Sequence, residues 1–396
     1  MEETLGKRSN TLTFMSFRVI RVTSKILAEE FGGCCRRGQN IGINGVTQPS
    51  SDQQVQFLTN LQRLLNEGAF VATYKFALLS ALADLCVERG QDTNAELRIP
   101  TREIAEKFVL YYWRQSRPFL PRGSKSAAFL LRQNTGREAA VISLLRQQFE
   151  RGIDSVSDLR RDTQAWNRVV TKVNRTLCEM PLWKLQTVGA SSMDFLYPNT
   201  MHGDSISLRP GVMFCCRKFH VFITDMVRGA WIRYVRRQNQ DRLGDPTDLD
   251  EFLFGTERVT LSGFVSMLRE IQSNRCFYCR KEVPRGDNHV DHFIPWAMYP
   301  VNLGHNFVLS DSRCNTAKSD HLAAFDHLAH WNSRNKEFAS SLTDGFDRIS
   351  AFHDIDASRT IAQWAYNRAF STNAETFRSP GVFERLPLNF RERVQW

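Results

Sequence analysis

Cysteine, histidine, carboxylate and amide side chains follow one another in a regular order within residues 276–320 of this 396-residue chain. A C-x-x-C pair opens the segment, an Asp-His pair follows, and asparagine, cysteine and lysine residues close it. Each piece alone is a weak signal, but the ordered combination in so short a segment is a strong one. The residues are Cys276, Cys279, Asp291, His292, Asn306, Cys314, Asn315 and Lys318.

These groups suit the hydrolysis of a phosphodiester bond, which needs a base for water and a divalent cation for the developing charge. Carboxylate and amide oxygens are hard ligands, so Asp291 and Asn315 are predicted to hold Mg²⁺ or Mn²⁺. A neutral imidazole can take a proton near neutral pH, so His292 is the predicted base. Asn306 is expected to tie the loop backbone and orient His292, and Lys318 is expected to meet a phosphate.

Local sequence signals predict the elements that must position these side chains. Residues His289–Ile294 are expected to form a strand that Pro295 ends, and Asn306–Leu309 a returning strand. Ser312 is expected to cap a helix in which Asn315 and Lys318, three residues apart, share a face. The predicted unit is therefore a ββα finger.

The segment resembles the HNH endonuclease family, also called the ββα-metal or His-Me finger nucleases. The matching pieces are the C-x-x-C pair, Asp291-His292-Phe-Ile-Pro295, Asn306-Phe-Val-Leu and Cys314-Asn315-Thr-Ala-Lys318. The resemblance covers roughly residues 255–325. It implies a metal-dependent nuclease that usually acts on DNA, in a bacterial or phage setting such as defence or restriction.

The sequence departs from that family at a second cysteine pair, which in many such fingers completes a four-cysteine zinc site. Here the position reads Asp311-Ser-Arg-Cys314, so the expected zinc ligands are Cys276, Cys279, Asp311 and Cys314. Carboxylate also binds zinc, which makes this set chemically allowed. His289 or His305 as fourth ligand, or buried thiols without zinc, remain alternatives.

The remainder of the chain predicts a mainly α fold. Apolar residues recur at helical spacing in the first half, whereas proline and glycine punctuate residues 181–212. A long helix is predicted from Val212 to Asn239. We expect a poorly ordered leader at 1–50, a helical domain at 51–180, short strands plus the long helix at 181–245, the HNH domain at 246–330 and a C-terminal helical extension at 331–396.

The formal net charge of +10 favours an anionic partner, with nucleic acid first. In the long helix Arg233, Arg236 and Arg237 are candidate phosphate contacts, together with Arg313 in the finger. The alternative is that the helix arginines form only a solvated face.

The resulting hypothesis is an HNH endonuclease that acts on DNA rather than RNA. The alternative is a non-catalytic zinc-knuckle protein that binds nucleic acid or docks a partner. A homodimer or a partner protein would be contacted through the helical N-terminal region. No apolar stretch approaches the roughly 20 residues of a membrane span, and no secretory signal is visible, so a cytoplasmic location without membrane contact is expected.

Overall fold

The computed structural model describes residues 48–396 except 122–126, 137, 201–202, 244–248, 256–261, 350 and 395. The expected leader at 1–50 therefore lies almost entirely outside the described residues. The described part is mainly helical with small two-stranded antiparallel sheets, which confirms the predicted mainly α fold. None of its helices is long and apolar enough to cross a membrane.

The first half of the described chain is built from helices around one apolar core. Their bounds are α1 (Ser51–Glu67), α2 (Tyr74–Arg89), α3 (Thr101–Gln115), α4 (Ala140–Glu150), α5 (Val156–Arg161), α6 (Thr163–Glu179), α7 (Pro181–Lys184), α8 (Val212–Lys218), α9 (His220–Gln238) and α10 (Leu249–Phe254). The strands between them are β1 (Leu97–Pro100), β2 (Thr187–Val188), β3 (Ser191–Ser192) and β4 (Ser205–Leu208). Buried side chains from Phe57 to Leu253 form this first core.

The starts of α1 and α3 differ in how they are capped. Ser50 caps α1 through a capping box with Gln53, and Gly68, with extended backbone angles, follows the last turn. Thr101 is the first residue of α3 and not its cap, and its hydroxyl donates to the carbonyl of Asp204. The difference arises because Pro100 ends strand β1 directly before the helix.

The long helix predicted from Val212 to Asn239 is broken at Phe219, which has φ −104° and ψ 19°. The side chains on either side of the break are fixed by separate partners in or just after α2. Arg217 Nε donates to Asp92 Oδ1 at 2.7 Å, and His220 Nε2 lies 2.8 Å from Asp84 Oδ1. Tertiary contacts therefore override an otherwise continuous helical pattern.

The second half of the described chain surrounds a second apolar core. It contains α11 (Ser262–Ile271), β5 (His289–His292), β6 (Phe307–Ser310), α12 (Ser312–Lys318), α13 (Phe325–Glu337), α14 (Ala339–Arg348), α15 (Ile355–Ser371), β7 (Glu375–Ser379), β8 (Val382–Arg385) and α16 (Phe390–Arg393). Its buried side chains run from Phe264 to Val394 and include Val87 of α2. The C-terminal segment thus shares the core of the finger and carries a β-hairpin besides its helices.

Polar contacts join the two halves. Tyr299 Oη, in the loop between β5 and β6, donates to Glu88 Oε1 of α2 at 2.8 Å. Trp364 Nε1 of α15 donates to the carbonyl of Arg217 at 2.8 Å. Tyr299 and Trp364 are both buried, so these bonds form inside the protein and fix the loop that follows His292.

Candidate functional site

Strands β5 and β6 and helix α12 form the ββα unit expected from the sequence. The two strands pair antiparallel, with His289 opposite Ser310 and His292 opposite Phe307. Asp311 caps α12 by accepting from the backbone N–H of Cys314 at 2.7 Å, so the cap is one residue earlier than the predicted Ser312. The unit brings Asp291 and His292 on β5 beside the helix that carries Asn315 and Lys318.

The carboxylate of Asp291 is largely buried and hydrogen-bonded. Its Oδ2 atom accepts from Tyr278 Oη at 2.5 Å and lies 3.1 Å from Lys318 Nζ. Among the described residues no side chain is bonded to Oδ1. Asp291 therefore keeps one oxygen for a further ligand while the other is fixed by the protein.

The imidazole of His292 is held by Asn302, a residue that the sequence reasoning missed. His292 Nε2 lies 2.9 Å from Asn302 Oδ1. With Oδ1 as acceptor, Nε2 carries the proton and Nδ1 presents a lone pair. Trp296 and Phe307 flank the ring edge to face. Burial lowers the pKa of His292, although Asn302 and Asp291 act to raise it, so the neutral imidazole is favoured.

Asn306 ties the loop backbone, as expected, but does not orient the imidazole. Its Oδ1 accepts from the Ile294 N–H at 2.7 Å and its Nδ2 donates to the Ile294 carbonyl at 3.0 Å. This closes the chain where strand β5 ends. The orienting contact comes from Asn302 instead, because both the oxygen and the nitrogen of the Asn306 amide are hydrogen-bonded to Ile294.

Lys318 differs from its predicted role as a phosphate contact. Its side chain is fully buried, and Nζ donates to the His292 carbonyl at 2.9 Å as well as facing Asp291. Burying an ammonium requires compensating charge and acceptors, which Asp291 and the carbonyl supply. Lys318 therefore holds β5 against α12, and its ammonium is engaged by these two partners. Asn315 precedes it by one helical turn and lies on the same face, partly exposed.

Three cysteines and one aspartate form a group that could bind a metal such as zinc. The ligand atoms of Cys276, Cys279, Asp311 and Cys314 all lie within 4.8 Å of one another. A tetrahedral zinc site with Zn–S bonds near 2.3 Å requires ligand atoms about 3.8 Å apart, so the group fits with small adjustments. The sequence alternatives His289 and His305 are not part of it.

The two carboxylate oxygens of Asp311 contact different parts of the structure, one the cysteine group and the other the start of α12. Oδ1 caps α12, and Oδ2 lies 3.1 Å from Cys279 Sγ. Burial acts to raise the pKa of Asp311, but hydrogen bonds from Cys276, Cys314 and Cys279 lower it to about 2. Hydrogen bonding by Cys314 also lowers the pKa of Cys276. Both shifts favour the anionic forms of these two ligands, whereas burial raises the pKa of Cys279 to about 11 and the hydrogen bond with Cys276 raises the pKa of Cys314, so those two thiols must lose a proton when a metal binds.

The remaining residues that were predicted to contact phosphate lie on the surface. Arg313 on α12 is exposed, as are Arg233, Arg236 and Arg237 on α9. The guanidinium of Arg237 stacks over the ring of Tyr234 at 5.7 Å. The helix arginines begin 13 residues after His220, so they lie at least about 20 Å along α9 from its contact with the finger loop.

Residues 54–252 match the family model described as Domain of unknown function (DUF8808). Because the match spans half of the chain, this protein belongs to that family. The matched region is the helical half from α1 to α10, and it ends before the ββα unit. No curated protein matches the chain in sequence.

Proposed function

We propose that this protein is a metal-dependent endonuclease of the HNH type that hydrolyses phosphodiester bonds in DNA. The observation that carries the proposal is the ββα unit, in which Asp291 and an oriented neutral His292 lie on β5, beside the helix that carries Asn315. A protein that only bound nucleic acid would not need a base beside two hard metal ligands.

In this proposal Asp291 Oδ1 and the amide oxygen of Asn315 hold Mg²⁺ or Mn²⁺. Both donors are hard oxygens, and Asp291 Oδ2 is already fixed by Tyr278 and Lys318, which leaves Oδ1 in a defined position. A bound divalent cation would neutralise the charge that develops on the phosphate and the leaving oxygen. The group of Cys276, Cys279, Asp311 and Cys314 would hold a separate structural zinc.

The chain's own residues would perform the proton transfer. His292 Nδ1 accepts a proton from water as the water oxygen bonds to phosphorus and the bond to the leaving oxygen breaks. Asn302 keeps the Nε2–H tautomer, so that Nδ1 and not Nε2 faces the water. Asn306 and Lys318 hold the backbone on either side of the imidazole, at Ile294 and at His292 itself.

The test is cleavage of supercoiled plasmid and of RNA by wild-type protein and by His292→Ala, with Mg²⁺, Mn²⁺ or EDTA. His292→Ala should lower cleavage by at least about 10²-fold, the scale for loss of a general base. His289→Ala is the matched control, because His289 lies on the same strand and its Nε2 lies 3.4 Å from Asp287 Oδ1, outside the proposed site. EDTA should stop cleavage.

Cleavage by His292→Ala at the wild-type rate, or cleavage in EDTA, would refute the assignment. Nucleic-acid binding by wild-type protein without cleavage under any metal condition would favour a non-catalytic zinc-knuckle protein. Comparing plasmid with RNA in the same assay also tests the preference for DNA.

A further inference from the structure

Burial of Lys318 engages one of the two finger residues that the sequence suggested as phosphate contacts, and Arg313 is the other. Lys318 Nζ is bonded to Asp291 and to the His292 carbonyl. A nucleic-acid strand at His292 would still need cations for the phosphates that flank the reacting one. Those cations must lie on the exposed surface of the same unit.

Such cations surround the loop that carries the C-x-x-C pair and the start of α12. Lys281, Arg285 and Arg313 are exposed, and none of them forms an ion pair or a side-chain hydrogen bond with any described residue. We call these three residues the knuckle surface. Their lack of partners leaves all three charges available to an anion from solution.

Two carboxylates close to the knuckle surface in the chain, Asp287 and Asp311, are bonded to other groups. Asp287 accepts from the Ser312 N–H at 3.2 Å and lies 3.4 Å from His289 Nε2. Asp311 is held by the cysteine group and the α12 cap. Residues 273–286 contain four cationic side chains and one carboxylate, that of Glu282, so the loop has an excess of positive charge.

Contacts of the loop place the knuckle surface at the start of α12. The carbonyl of Lys281 accepts from the N–H of Cys276 at 2.8 Å, and the Cys276 thiol lies within 4.8 Å of the ligand atoms of Asp311 and Cys314. The Ser312–Asp287 bond ties the loop after Arg285 to the first turn of α12, where Arg313 lies. That end of the finger is the end where His289 pairs with Ser310, three residues along β5 from His292. Three residues of strand span about 10 Å, and one nucleic-acid strand carries a phosphate every ~3.4 Å of duplex axis. The surface is therefore within reach of phosphates about three nucleotides away from one at His292.

We propose that the knuckle surface binds the sugar-phosphate backbone of the nucleic acid beside the cleavage position. This inference rests on the proposed nuclease function, because His292 defines where the strand lies. Nucleic acid is favoured over an anionic membrane because the surface adjoins a set of groups suited to phosphodiester hydrolysis. The contacts are to phosphate, so they contribute affinity without base preference.

The experiment measures binding of a fluorescently labelled DNA duplex to full-length His292→Ala protein by anisotropy, between about 50 and 200 mM salt. The same measurement is then made on a second protein, which carries Lys281→Gln and Arg285→Gln in addition to His292→Ala. Neither side chain makes a contact in the fold, so folding should persist, and circular dichroism checks this. The slope of log K against log salt should fall by about two units, since each phosphate contact contributes roughly 0.9.

Arg168→Gln/Lys172→Gln is the matched control, because both residues are exposed on α6 and the change in net charge is the same. It should leave the slope unchanged. An unchanged slope in the Lys281/Arg285 variant, or an equal fall in both variants, would overturn the inference. So would binding to phosphatidylserine vesicles without binding to DNA. Because the assay measures binding by a protein that lacks the base, its failure is distinguishable from failure of the nuclease assignment.

Discussion

Asp291 and Lys318 define the electrostatics at the scale of single residues. The buried ammonium of Lys318 faces one oxygen of the Asp291 carboxylate and donates a hydrogen bond to the His292 carbonyl. Removing one member of such a pair would leave a buried, uncompensated charge, which typically costs about 3–5 kcal/mol. Lys318→Ala would therefore damage folding, and it is a poor probe of phosphate binding.

Asn302 offers a cleaner probe, because its contact is with the imidazole. Asn302→Ala should lower cleavage by about 10-fold or more, since loss of the partner that orients a catalytic group has this scale. Asn302→Asp should retain most activity, because a carboxylate also accepts from Nε2–H. DNA affinity should be unchanged in both variants.

The measurement is cleavage rate at saturating DNA, with anisotropy for binding. A merely structural role for Asn302 would make the two substitutions equally harmful, and the Asp variant would then fail to restore activity. Wild-type rates in Asn302→Ala would contradict the role altogether.

At the scale of elements, Asp311 links helix α12 to the cysteine group. This single side chain has two roles. Its Oδ1 caps the N-terminus of α12, and its Oδ2 faces Cys279 in the cysteine group. The start of α12 is therefore fixed by the same residue that would close the metal site. The position and geometry of Asn315 depend on both.

Substitutions at Asp311 should separate the two roles. Asp311→Asn keeps an N-cap but loses the anionic ligand, so zinc affinity should fall while helix stability changes little. Asp311→Cys supplies a thiolate, so zinc should be kept or bound more tightly, while the lost cap costs about 1 kcal/mol.

Metal content and competition with a chromogenic chelator measure zinc, and thermal unfolding measures stability. We expect about one zinc per chain in the wild-type protein. Equal zinc affinity in Asp311→Asn and wild-type protein would exclude the carboxylate as a ligand.

At the scale of the whole molecule, a buried polar network joins the DUF8808 half to the finger half. Glu88 on α2 accepts from Tyr299 of the finger loop and from Lys107 Nζ at 2.5 Å. Nearby, Asp84 accepts from Tyr111 Oη at 2.6 Å and lies against His220. The helical half therefore supports the loop that follows the proposed base.

Tyr299→Phe and Tyr111→Phe form a matched pair that tests this support. Each removes one hydroxyl bonded to a buried carboxylate, so each should lower the free energy of unfolding by about 1.5–3 kcal/mol. Tyr299→Phe should reduce cleavage more than Tyr111→Phe does, since Tyr299 lies in the loop that follows His292, whereas Tyr111 donates to Asp84 on α2.

Urea unfolding and plasmid cleavage of the two variants provide the comparison. If both variants lost stability equally and both kept wild-type cleavage, the helical half would not contribute to the geometry at His292. Equal losses of cleavage would point to a general effect of destabilisation.

The sequence by itself determined the mainly α fold, the ββα unit and the set of cysteines beside Asp311. These follow from patterns that are local in the chain: helical spacing of apolar residues, a strand ended by Pro295, and short spacing within the C-x-x-C pair. Even the position of the α12 cap was predicted to within one residue. Local patterns suffice here because the partners are near neighbours in sequence.

Only the tertiary structure decided the partners of the long or buried side chains. Lys318 and Asn315 share a helix face in the sequence, but burial against β5 turns Lys318 from a phosphate contact into the partner of Asp291. Tyr278 and Asn302 gain their roles through contacts across 13 and 10 residues of chain. The break at Phe219 likewise depends on Asp84 and Asp92, more than 120 residues away. Periodicity identifies the face of an element, whereas the group that this face meets is set by how distant segments pack.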